Sequence, residues 1–124
     1  MLPRKNRLDL KKDFSEIKRK GRLLKGRFFN FLFQKQLFDY NVNLPGSDFK
    51  LPTFAFIASK KIEKRATKRN RVKRLLNEAV KSFLPQIQPG VRGIFLAKKE
   101  ILGKNFAEIK NEVEAIFKKG NLFK

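Results

Sequence analysis

With 124 residues, 41% of them apolar, the chain is long enough for one domain with a modest core and too apolar for a disordered basic tail. It carries 31 Lys and Arg against 11 Asp and Glu, a formal net charge of +20, and such self-repulsion points to a polyanionic partner. Cys and His are both absent, which excludes a disulfide framework, a Cys/His zinc site and a Cys/His nucleophilic dyad.

In chain order, a basic arm at 1–9 precedes a short helix predicted over Leu10–Lys20. Phe14 and Ile17 share one face of it, and Gly21 is the stop signal. Arg27–Phe38 reads as a long strand, with Phe29, Phe31 and Phe33 on one face and Phe28, Asn30, Leu32 and Gln34 on the other. Residues 39–52 form a long loop, with room for a small strand around Phe49–Leu51. Thr53–Ser59 is a second strand, with Pro52 at its edge.

Thr67 is the expected cap of a helix running to about Phe83. Its apolar stripe is Val72, Leu75, Leu76, Ala79, Val80 and Phe83. Pro85, Pro89 and Gly90 then break the chain, and Gly93–Ala97 reads as a strand buried on both faces. Asn105 and Glu108 have capping-box spacing for a last helix to about Lys119, with Phe106, Ile109, Val113, Ile116 and Phe117 inward. The expected architecture is a single α+β domain over 1–124, with elements in the order α-β-β(-β)-α-β-α.

The charge is concentrated in two blocks: 11 basic and 3 acidic residues over 1–27, and 9 basic and one acidic over 59–74. In the second block, Arg69 and Lys73 are expected beside the apolar stripe, Arg71 on its other side, and Arg74 and Lys81 at the back. One helix would then be anchored in the core while presenting cations around its exposed arc. Solvated helix faces normally mix both signs, whereas Glu63 is the only acid from 59 to 77. Guanidinium forks and a helix N-terminus both suit phosphate, so the block reads as a nucleic-acid-binding surface. The longest apolar run, Phe54–Ala58, is too short for a membrane span or a signal-peptide core, so a cytoplasmic location is expected.

Ser59-Lys60-Lys61, a spacer, and Arg69-Asn70-Arg71-Val72-Lys73-Arg74 resemble the signature of the bacterial ribonuclease P protein subunit family. The resemblance extends upstream through Arg7-Leu8, Lys12-Asp13-Phe14 and Lys20-Gly21. Downstream it takes in Gly93-Ile94-Phe95-Leu96-Ala97 and the last helix. It implies an α/β sandwich with a left-handed βαβ crossover. It also implies a protein that is not itself the catalyst and supplies no catalytic residue. The RNA subunit, using Mg²⁺, removes the 5′ leader of precursor tRNA, and the protein is expected to bind no cofactor or metal of its own.

By the same resemblance, Lys60, Lys61, Lys68, Arg69, Asn70, Arg71, Lys73 and Arg74 would dock on the catalytic RNA. Phe14 and Lys18, with Leu32 on the long strand, would line a cleft for the single-stranded leader. The partners are the catalytic RNA and precursor tRNA, with no DNA and no membrane. The sequence departs from the family at Lys18 and Leu32, where aromatic residues are usual, and at Asn77, where a basic residue is usual.

Rival readings are weaker. A structural RNA-binding protein of ribosomal type shares the composition but not the motif. Lys25–Phe33 resembles the aromatic strand of a single-stranded RNA module, but Arg27 stands where an aromatic is expected and a helix precedes the strand. A self-sufficient nuclease would need clustered carboxylates or histidine. A basic helix lying on a membrane would leave the strands without cover.

Overall fold

The computed structural model describes residues 2–35 and 51–124. Helix α1 (Leu10–Lys20) has the expected bounds. Asp9 caps it by accepting from the Lys11 amide, and the Gly21 amide closes it on the Ile17 carbonyl at 2.7 Å. A side chain at Gly21 would meet the carbonyls of Ile17 and Phe33, so only glycine lets the chain turn this tightly into the sheet.

The sheet has four strands: β1 (Arg22–Lys25), β2 (Phe29–Lys35), β3 (Thr53–Ile57) and β4 (Val91–Ala97), in the spatial order β1-β2-β4-β3. β1 was not expected. It has four residues and only Leu24 turns inward, too little alternation to register as a strand until β2 pairs with it, Leu24 opposite Phe31. β2 starts at Phe29 and not at Arg27, and the remainder of the expected strand, 36–38, lies outside the described residues. So do 39–50 of the expected loop, and Leu51 is in no strand. β3 ends two residues before Ser59, while β4 begins two residues before Gly93.

β4 pairs antiparallel with β2 and parallel with β3, so β3, helix α2 (Ala66–Lys81) and β4 form one strand–helix–strand unit. Arg65, not Thr67, occupies the N-cap of α2, and no side chain caps the helix there. Helix α3 (Phe106–Lys119) carries the expected capping box, in which the Glu108 amide donates to Asn105 at 2.9 Å.

Both faces of the sheet are covered. On one, Phe29, Phe31, Phe33, Phe54 and Phe95 meet α2 and α3, and Phe117 packs its ring against those of Phe31, Phe54 and Phe95. Phe106, expected inward, is 39% exposed because it stands at the first position of α3, beyond the edge of that core. On the other face, Ile17 of α1 packs against Leu32 and Ile94. β3 is an edge strand, and the N-terminal arm covers its open edge. Arg7 bridges Phe54, the Leu8 amide donates to the Phe54 carbonyl at 2.9 Å, and the Asn6 amide group donates to the Pro52 carbonyl at 2.9 Å. Leu2 is buried to 1% exposure, which makes the arm part of the fold.

Candidate nucleic-acid interface

The basic block runs from the end of β3 into α2. After Ser59 the chain makes a tight turn, with the Ile62 amide donating to the Ser59 carbonyl at 3.2 Å. Glu63, the lone acid, organises the entry into α2. Its carboxylate accepts from the Arg65 side chain at 3.0 Å and the Arg65 amide at 3.1 Å, and these bonds hold its pKa down at about 2. Arg69 reaches back to donate to the carbonyls of Glu63 and Lys64 at 3.0 and 2.9 Å. It is half-buried and braces the turn, a structural task that helical periodicity could not reveal.

Lys60, Lys61, Lys68, Asn70, Arg71 and Arg74 are exposed, and Lys73 is half-buried. Among the described residues none of these cations forms an ion pair. By contrast, Asp13, Glu16, Glu63, Glu108, Glu112 and Glu114 are each engaged by an Arg or Lys. Arg74, expected at the back of the helix, faces the same groove as Asn70, Lys73 and Asn77, between α2, β3 and the arm. Asn77 is buried: it accepts from the Leu2 amide at 3.3 Å and donates to the Lys73 carbonyl at 2.8 Å. An amide there anchors the arm, whereas a lysine would place an ammonium against buried Leu2.

The residues expected to line a leader cleft lie on the opposite face of the sheet. Phe14 is half-buried against Ile17, Leu32 and Ile94, and Lys18 is exposed one turn further along α1. Leu32 is only 8% exposed, so it forms the floor beneath Phe14 and not an open wall. A residue that sequence reasoning missed, Arg92 of β4, ties this region together. It reaches Asp13 at 3.3 Å and Glu16 at 3.1 Å on α1, and it also bonds Gln34 on β2. Hydrogen bonding from Arg92, reinforced by its charge, lowers the Glu16 pKa below the usual carboxylate value. Two acids three apart on an otherwise basic helix were the available signal. On the same face, the buried Oδ1 of Asn30 has no hydrogen-bond partner among the described residues.

No three carboxylates among the described residues come together as a metal site, and the acids named above already serve arginines and lysines. Among the described residues no helix is long and apolar enough to cross a membrane.

The fold and site define a class: a small basic α+β domain whose strand–helix–strand unit projects an unpaired cationic edge from one helix. The family model for ribonuclease P matches residues 2–121, so the chain belongs to the ribonuclease P protein family. Members are the protein component of the tRNA-processing ribonucleoprotein enzyme. The protein alone is not catalytic, and its partner is the ribonuclease P RNA.

Among its relatives, the ribonuclease P protein component of Synechococcus sp. (strain JA-2-3B'a(2-13)) is 28% identical over 123 residues, spanning 98% of this chain and 86% of the relative. That of Syntrophomonas wolfei is 29% identical over 123 residues, spanning 99% and 93%. Among solved structures, a Staphylococcus aureus RNase P protein superposes with a TM-score of 0.75 at 22% identity, covering 96% of this chain and 98% of that one. The Thermotoga maritima RNase P protein superposes with a TM-score of 0.73 at 23% identity, covering 91% and 96%. At these identities the structural likeness bears on the fold.

Proposed function

We propose that the Lys60–Arg74 surface docks on the ribonuclease P RNA and that the α1 face of the sheet takes the single-stranded 5′ leader of precursor tRNA. The observation that carries this reading is the contrast in pairing. Lys60, Lys61, Lys68, Arg71, Lys73 and Arg74 have no carboxylate partner among the described residues, while Asp13, Glu16, Glu108, Glu112 and Glu114 are each tied to an Arg or Lys. Unpaired cations gathered on one edge release counterions from a phosphate backbone on contact, which is the main source of affinity for RNA.

On the other face, Phe14 offers part of a ring to a leader base and Lys18 a cation to a leader phosphate. Arg92 fixes α1 over the sheet through Asp13 and Glu16, so this face keeps its shape when a strand binds.

The protein works by position and charge. Held between two polyanions in the cytoplasm, its net +20 lowers their mutual repulsion and brings the leader junction to the catalytic RNA. The Mg²⁺ that cleavage requires is left to the RNA, whose phosphates supply the hard oxygen ligands such an ion takes.

The test is to add purified protein to a bacterial ribonuclease P RNA and assay precursor-tRNA cleavage over a range of Mg²⁺. The protein should stimulate cleavage most at low Mg²⁺. Equal rates with and without it at every Mg²⁺ concentration would overturn the reading, as would metal-dependent cleavage by RNA-free protein.

A further inference from the structure

A pocket of about 530 Å³ opens between the N-terminal arm, the start of α1 at Leu10, β3 and α2. Its size falls within the range of roughly 300–1,000 Å³ usual for small-ligand sites. The floor is apolar, made by Leu2, Leu8 and Phe56 among others, and the rim carries Asn70, Lys73 and Arg74 of α2. No acidic residue lines it among the described residues.

Phe56 is half-buried. One face of its ring stacks on Phe95, with centroids 5.3 Å apart and planes at 14°, while the ring also borders the pocket. Asn70 is exposed and its side-chain amide makes no hydrogen bond among the described residues, which leaves both a donor and an acceptor at the mouth.

We propose that this pocket seats one unpaired nucleotide of the ribonuclease P RNA, its base on Phe56, its edge read by Asn70 and its phosphate held by Lys73 and Arg74. A flat ring supported from behind is what an unstacked base needs, and the rim supplies amide and cations within one helical turn. Continuity with the cationic edge of α2 favours RNA over an acidic peptide. The inference rests on the docking role proposed for that edge.

The experiment compares wild type, Phe56→Leu, Phe56→Tyr, Arg74→Ala and Arg71→Ala for affinity to ribonuclease P RNA at several salt concentrations. A melting curve accompanies each variant. Loss of base stacking should weaken Phe56→Leu by about tenfold. Its slope of log affinity against log salt should be unchanged, because stacking releases no counterions. Phe56→Tyr, which restores the ring, should bind as wild type does. Arg74→Ala should bind less tightly and with a flatter slope.

If Arg71→Ala weakens docking and Phe56→Leu does not, the pocket assignment falls while the docking surface stands. If neither weakens it, the docking role itself falls. If Phe56→Leu spares the catalytic RNA but lowers preference for precursor over mature tRNA, the occupant is the leader and the assignment to the catalytic RNA is overturned.

Discussion

Phe14 stands between a structural and a functional role, and two substitutions separate them. The ring is half-buried on Ile17, Leu32 and Ile94. Truncating a fully buried Phe to Ala costs about 3–5 kcal/mol, so a half-buried ring should cost about 2 kcal/mol. For a chain of this length that corresponds to a Tm drop of about 8 °C. Phe14→Leu keeps most of the apolar contact and should cost under about 1 kcal/mol, but it removes the flat surface on which a base stacks.

Stacking contributes about 1–3 kcal/mol per base, so Phe14→Leu should weaken holoenzyme binding of precursor tRNA by about 5–150-fold. Mature tRNA, having no leader, should bind as before. Lys18→Ala, at an exposed position, should leave the Tm unchanged and flatten the salt slope of precursor binding by about 0.7. Affinities for both tRNAs at two salt concentrations, beside a melting curve for each variant, decide the matter. Precursor binding by Phe14→Leu equal to wild type, with Phe14→Ala destabilised, would show that Phe14 serves only the core.

Arg69→Ala should lower the Tm by several degrees, since it deletes two charge-assisted hydrogen bonds to the Glu63 and Lys64 carbonyls. Exposed Arg71→Ala should weaken RNA docking with no change in Tm, and equal melting of the two variants would refute the bracing role. The Glu63 pKa is depressed on folding from 4.5 to about 2, so its contribution is fully present above about pH 4.5 and lost as pH falls toward 2. Wild type and Glu63→Gln should therefore differ in Tm by a constant amount above pH 5 and converge below it; a gap that persists at pH 2 would refute the assignment. Gly93→Val should destabilise by at least about 1–3 kcal/mol in denaturant titration, because a Cβ there would overlap the Phe31 ring; an unchanged midpoint would show that the ring can move aside.

What the sequence by itself determined is what depends on neighbours close along the chain. The bounds of α1 come from Asp9 and Gly21, those of α3 from the Asn105–Glu108 box, and the facing of Phe29, Phe31 and Phe33 from strict alternation. The cationic block over 59–74 was legible for the same reason, since charge density is a local property. Tertiary structure decided the rest. Asn77 meets Leu2 across 75 residues, and Arg92 bonds Asp13 across 79. β1 is a strand because β2 lies beside it, and the N-terminal arm is ordered by the open edge of β3. Even within α2, periodicity places Arg69 beside the apolar stripe and Arg74 behind it. Only the preceding turn shows that Arg69 is engaged by backbone carbonyls, and only the neighbouring strand and arm show that Arg74 borders a pocket. Helical phase orients a side chain about its own axis; what that side chain meets depends on how distant segments pack, and no local pattern encodes it.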